Sequence, residues 1–105
     1  MVIHINSTAE FDTQIANNSK VIVDFFATWC GPCKMLSPVL EKIADENPDI
    51  TVLKVDVDKL SELAVKYAVY SIPQMNFFKD GKEVGEPLVG FRGSDALMEE
   101  ISSRF

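Results

Sequence analysis

Lys20-Val21-Ile22-Val23-Asp24-Phe25-Phe26-Ala27-Thr28-Trp29-Cys30-Gly31-Pro32-Cys33 is the stretch whose reading decides the fold. From Lys20 to Phe26 it is a nearly continuous run of β-formers, which reads as a strand covered on both faces and therefore central in a sheet. A loop, Ala27 to Pro32, follows. Beyond it Leu36, Val39, Leu40 and Ile43 fall at helical spacing, and the helix should end near Asn47-Pro48. The opening turn of that helix contains both cysteines. Pro32 suits a first turn, whose N–H groups have no intrahelical partner. Pro38 lies deeper, where it removes a hydrogen bond and predicts a kink.

Working outward, Val2 to Ile5 is short and β-rich, and Ser7-Thr8-Ala9-Glu10 carries the Ser-x-x-Glu pattern of a capping box ahead of Phe11 and Ile15. Thr51 to Val57 reads as a second central strand. Asp58 is a candidate N-cap for a helix bearing Leu60, Leu63, Ala64 and Tyr67. The pattern then changes: Met75 to Lys79 and the segment from Lys82 onward are strand-like and joined by Asp80-Gly81, a signal for a tight antiparallel hairpin. Pro87 marks the last strand as an edge. Gly93-Ser94 starts a closing helix with Leu97, Met98 and Ile101 on one side. The order is βαβαβα and then ββα, which implies an α/β domain with parallel strands, helices on both faces and a terminal antiparallel hairpin.

No linker, repeat or low-complexity segment interrupts this pattern, so residues 1–105 are expected to form one domain. A chain of 105 residues can bury roughly 65% of the surface its unfolded form exposes. Its 47% hydrophobic and 25% charged residues are ordinary for a folded domain, which needs no covalent staple. The net charge of −6 argues against a nucleic-acid partner, which would require clustered Lys and Arg. Met1-Val2-Ile3-His4-Ile5-Asn6 shows no basic segment before a long apolar stretch, so neither a signal nor a transit peptide is expected and the location reads as cytoplasmic. No apolar run reaches the roughly 20 residues needed to cross a bilayer, so no membrane partner is expected.

The chemistry resides in Trp29-Cys30-Gly31-Pro32-Cys33. Two cysteines in Cys-x-x-Cys spacing at a helix start lie on one face of the first turn, near enough to close a disulfide and so to exchange two electrons. Cys30 would sit at the helix N-terminus, where unpaired N–H groups and the dipole stabilise a thiolate, the attacking form in disulfide exchange. It is expected on an exposed loop, with Cys33 one turn inward and sheltered. The spacing assigns Cys30 the attack on a substrate disulfide and Cys33 the resolution of the mixed disulfide. Three plainer readings compete. Both cysteines could be core residues at chance spacing. A zinc site needs about four ligands, and His4 is the only other soft ligand, so no metal is expected. A structural disulfide closing so short a loop would constrain the unfolded chain little, which leaves reactivity as its value.

Asp24 interrupts its strand on the face of Ile22 and Phe26, so its carboxylate should be desolvated and its pKa raised. Lys54, on the next apolar strand, is the candidate charge partner. A solvated strand-end Asp without a role is the alternative. His4 reads as a strand surface residue, and Phe11, Phe25, Phe26, Phe77 and Phe78 as core.

The segment Val23-Asp24-Phe25-Phe26-Ala27-Thr28-Trp29-Cys30-Gly31-Pro32-Cys33-Lys34, followed by Pro38, Lys54, Ile72-Pro73, Gly81 and Gly90, closely resembles the thioredoxin family over essentially the whole chain. The resemblance implies the thioredoxin fold, a central mixed sheet of five strands flanked by four helices, with a cis peptide before Pro73 facing the cysteines. It implies a shallow substrate groove of Trp29, Gly31, Pro32, Ile72, Pro73, Val89 and Gly90, where an extended peptide pairs with backbone. It carries to Asp24 the deprotonation of Cys33 through a water. A protein-disulfide reductase that binds no cofactor, acts as a monomer on disulfide-containing proteins and is recharged by a flavin-containing, NADPH-dependent thioredoxin reductase is the implied activity. Gly31-Pro32 resembles the reducing members and sets the redox potential with Lys54. An oxidase or isomerase on the same fold, or a binding subunit without turnover, are the rival readings. Phe26 stands where many bacterial relatives have a second Trp. Gln74 follows the proline where Thr is commoner, beside the groove, and is expected to bear on partner choice.

Overall fold

The computed structural model describes residues 1–105. Its elements follow one another as β1 (Val2–His4), α1 (Thr8–Asn17), β2 (Lys20–Phe26), α2 (Gly31–Glu46), β3 (Ile50–Asp56), α3 (Ser61–Lys66), β4 (Gln74–Lys79), β5 (Lys82–Glu83), β6 (Leu88–Val89) and α4 (Ser94–Arg104). The sheet runs β1-β3-β2-β4-β5, with β6 also paired to β4. β1 and β2 flank β3 in parallel, and β4 joins β2 antiparallel. The expected central place of β2 and β3 is the one observed.

Strand alternation distributes β2 between two cores. Val21, Val23 and Phe25 pack with Phe11 of α1 and Leu63 of α3. Ile22 points the other way, to Leu36, Leu40 and Ile43 of α2 and to Leu97 and Ile101 of α4. Helices therefore cover both faces, and Asp24, in phase with Ile22, faces α2.

The local signals act as expected in most places. Ser7 Oγ accepts from Glu10 N at 3.1 Å, while Glu10 reaches back to the Asn6 N–H at 2.8 Å, a variant of the reciprocal capping box. Asp80 and Gly81 adopt φ of 52° and 83°, the left-handed pair a two-residue hairpin turn requires. Helix α2 continues through Pro38.

Two details differ. Asp58 does not cap α3, which starts at Ser61 after Leu60 without a side-chain cap. Asp56 holds that turn instead, its Oδ1 accepting from the N–H groups of Asp58 and Lys59. The edge expected as one strand is split: β5 pairs with Phe78 and Lys79, and β6 with Gln74 and Met75. Gly85, at φ 71°, lies in the intervening bend.

Candidate active site

The start of α2 brings the two sulfurs together. Cys30 is the N-cap, with extended φ and ψ of −91° and 114°, and its Sγ accepts from Cys33 N at 3.2 Å. One of the helix's orphan N–H groups is thereby aimed at sulfur. The two residues form a disulfide with Cα atoms 5.3 Å apart. The expectation that Cys30 lies exposed requires correction, because it is only 5% accessible, close to the 3% of Cys33. Ala27, Phe26, Val57 and Ile72 pack against the pair and cover it. Access is kept by the neighbours: Gly31 and Pro32 are exposed, and apart from its chain neighbours and its own helix backbone nothing lies within 4 Å of where a Cβ on Gly31 would stand.

Behind the cysteines, Asp24 is wholly buried. The register sets it opposite Lys54, whose Nζ lies 3.1 Å from Asp24 Oδ2. That contact is not aligned as a hydrogen bond, and neither carboxylate oxygen has a hydrogen-bond partner. Instead the Lys54 ammonium donates to Ser37 Oγ and stands 4.8 Å from the centre of the Phe26 ring. Burial pushes the Asp24 carboxyl above its ordinary range, and the attraction of Lys54 opposes that rise without cancelling it. A cavity of about 240 Å³ opens beside this group, lined by Cys33, Ser37 and Lys54 with His4, Phe26 and Thr28. Water in it would touch both the inner cysteine and the ammonium that contacts Asp24. His4 is exposed on β1, its ring edge-on to Phe26.

In front of the cysteines stands the turn before β4. The Ile72-Pro73 peptide is cis, and the Ile72 carbonyl oxygen is 3.9 Å from Cys30 Sγ. The Pro73 carbonyl accepts from Gly90 N at 2.8 Å, and Gly90, at φ 85°, adopts a conformation that favours glycine. Val89, paired with Gln74 in the ladder, is half exposed. Trp29 is 69% exposed and lines an open apolar cavity of about 400 Å³ with Val57, Val69, Tyr70 and Ile72. A Cys-x-x-Cys disulfide at a helix start, faced by a cis-proline turn, is thus present in full. The family model for thioredoxin matches residues 2–103. This chain belongs to the thioredoxin family.

Among similar thioredoxins, that of Chlamydia trachomatis is 50% identical over 101 residues, covering 96% of this chain and 97% of its own. A solved point mutant of the thioredoxin from Halobacterium salinarum superposes with a TM-score of 0.90 at 40% identity, over 98% of this chain and 89% of that one. A chain solved in work on thiol resolution in yeast mitochondrial 1-Cys peroxiredoxin through glutathione/thioredoxin systems gives 0.87 at 34% identity, over 97% and 94%. The thioredoxin fold is therefore observed, with four helices around the mixed sheet and its edge strand broken in two. Thioredoxins are protein-disulfide oxidoreductases, and the Cys30–Cys33 pair equips this one for thiol–disulfide exchange. No helix is long and apolar enough to cross a membrane.

Of the candidates read from the sequence, Trp29, Ile72, Pro73 and Gly90 are gathered around the pair, and Asp24 with Lys54 lies behind it. Gln74 does not present its side chain to the groove: it is 3% accessible, and its amide is turned to Tyr67 and Asn76. Two contributors to this thioredoxin site were missed. Asp58 Oδ2 accepts from the Trp29 indole N–H at 2.9 Å, and Ser37 receives the Lys54 ammonium. Neither sits in a motif, and each meets its partner only through tertiary folding.

Proposed function

We propose that this thioredoxin reduces protein disulfides with Cys30 as nucleophile and Cys33 as resolving thiol. The Cys33 N–H directed at Cys30 Sγ at 3.2 Å carries the reading, because the same donor at a helix N-terminus stabilises a thiolate on the outer sulfur once the pair is reduced. The thiolate attacks one sulfur of the substrate disulfide and expels the other as a thiolate, forming a mixed disulfide. Cys33, deprotonated with help from Asp24 through water in the adjoining cavity, then attacks Cys30 Sγ and releases the second substrate thiol. Two electrons pass to the substrate, and Cys30–Cys33 is left oxidised.

The groove of Trp29, Gly31, Pro32, Ile72, Pro73, Val89 and Gly90 receives the substrate as an extended segment. Substrates are disulfide-containing proteins, the class on which the thioredoxin family acts. Residues 1–105 act as one domain and as a monomer in the cytoplasm, with no bound cofactor. A flavin-containing thioredoxin reductase returns the electrons from NADPH. Coupling the chain to such a reductase tests the scheme: insulin-dependent NADPH oxidation at one NADPH per disulfide is expected. No NADPH consumption above the reductase alone would refute the recharging step.

Gly31-Pro32 favours reduction over oxidation because Pro32 brings neither donor nor charge, so the Cys30 thiolate rests on helix N–H groups alone. Pro32→His places an imidazole beside the thiolate at an exposed position. One charge-assisted hydrogen bond is worth about 1.5 to 3 kcal/mol, and it strengthens only the reduced form. The potential should therefore rise by roughly 30 to 60 mV for the two-electron couple, less at high pH where the imidazole is neutral. Equilibration with glutathione buffers at pH 7 measures the shift. A lower or unchanged potential would count against this account of the dipeptide.

A further inference from the structure

We propose that Gln74 is a positioning residue for substrate binding, holding the cis-proline turn at its working distance from Cys30 by an internal chain of amides. The proposal rests on the groove reading above and adds to it a determinant that does not touch substrate.

Gln74 is the first residue of β4, immediately after Pro73, and its backbone is clamped between Phe25 and Val89 in the ladder. Its side chain points to the opposite face, beneath the turn. There Gln74 Nε2 donates to the Tyr67 carbonyl at 3.1 Å and to Asn76 Oδ1 at 2.9 Å. Asn76, only 1% accessible, donates onward from Nδ2 to Glu83 Oε2 at 2.8 Å. Both ends of this chain are pure acceptors, a backbone carbonyl and a carboxylate, so the orientation of each amide is fixed. Reversing either amide would set oxygen against oxygen. The direction of the bonds is therefore a property of the chain's ends and leaves one arrangement.

What the network secures is the segment Tyr67–Pro73, which leaves α3 and delivers Ile72 to the cysteines. Tyr67 is the C-cap of α3, and Ala68 follows at φ 52°, a conformation disfavoured for a residue with a Cβ. Gln74 ties the start of this segment to its end. Its loss leaves the Tyr67 carbonyl and Asn76 Oδ1 without their donor in an enclosed site, so the turn has reason to shift. The Ile72 carbonyl, 3.9 Å from Cys30 Sγ, and the Pro73 carbonyl, bonded to Gly90 N, lie on the segment that would move. A peptide that pairs with this backbone would feel the change, whereas a small disulfide needing only the sulfur would not.

Gln74→Met keeps length and removes both donors. With dithiothreitol as electron source, the apparent KM for insulin should rise roughly fivefold, the effect of one hydrogen bond, with kcat changed less than about twofold. The rate with 5,5′-dithiobis(2-nitrobenzoate) should also stay within about twofold, and exchange of the Gly90 N–H should accelerate. Glu83→Ala, at the exposed end where folding is not at risk, should move the insulin KM in the same direction by about twofold, and Glu83→Gln, which keeps an acceptor oxygen, should restore it. An unmoved insulin KM in both Gln74→Met and Glu83→Ala would overturn the proposal, as would equal losses on insulin and the small disulfide. Trp29→Ala separates the two levels. If it raises the insulin KM while Gln74→Met does not, the Gln74 proposal alone fails; if neither does, the groove reading fails.

Discussion

Replacing Cys33 by serine is expected to give a protein that attacks disulfides and stays attached to them, with catalytic turnover falling by at least about a thousandfold. The magnitude follows from what Cys33 replaces. An oriented neighbouring group can act with an effective molarity on the order of 10⁵ M, and Cys33 sits on the same helical turn as Cys30, with Cα atoms 5.3 Å apart. Without it the mixed disulfide must wait for an external thiol, present at millimolar levels, so even partial orientation leaves a gap of roughly a thousandfold or more. The Cys33→Ser substitution preserves the backbone N–H that points at Cys30 Sγ, so attack survives while resolution does not. Cys30→Ser should abolish turnover and form few adducts, because the N–H at the helix start is directed at the sulfur of Cys30 and not at that of Cys33. Mass spectrometry of trapped adducts from both variants decides the order of events. Attachment chiefly through Cys33 would reverse the assigned roles.

The same residues show what could be read in advance and what could not. The apolar run Lys20–Phe26 announced a strand covered on both faces, since each parity of its side chains meets its own layer of helices. The Asp24–Lys54 pair was also legible: two polar residues interrupting neighbouring apolar strands have few partners but each other, and the register aligns them. Cys30 differs from expectation because an N-cap position suggests exposure, whereas Phe26, Val57 and Ile72, brought up by the fold, pack against the cysteine pair. Ser37 gave no signal and Asp58 only that of a helix cap, since a hydroxyl on a helix and an acid in a loop do not show a site role until folding brings up Lys54 and Trp29. Gln74 was placed correctly along the chain but on the wrong side of it. The period of a strand puts the residue after Pro73 on the face away from Met75, and β4 turns that face to α3.

Asp24→Asn is expected to stabilise the oxidised protein by about 1 to 3 kcal/mol at pH 7 while slowing disulfide reduction by roughly 10- to 100-fold. The stabilising half comes from removing a carboxylate that is fully desolvated by burial and has the Lys54 ammonium as its charged contact. Lys54 limits the gain, since it loses its counter-charge, but its ammonium keeps Ser37 and borders two open cavities where water can reach it. The sign follows from burial, which raises the folded pKa of Asp24 above the unfolded one. Below the unfolded value both states carry the proton, and the wild type bears no penalty. As pH rises toward the folded value, the unfolded state ionises first and wild-type stability falls. The advantage of the amide variant should therefore be absent in acid, grow across the window between the two values, and stay constant above it. The activity loss comes from the same carboxylate acting as proton acceptor for Cys33; a directly bonded general base contributes about 10²- to 10⁴-fold, and one reached through water less. Urea melts across pH and insulin turnover at pH 7 measure the two halves on one sample. A variant that is less stable at pH 7 and fully active would make Asp24 a structural partner of Lys54 with no part in proton transfer.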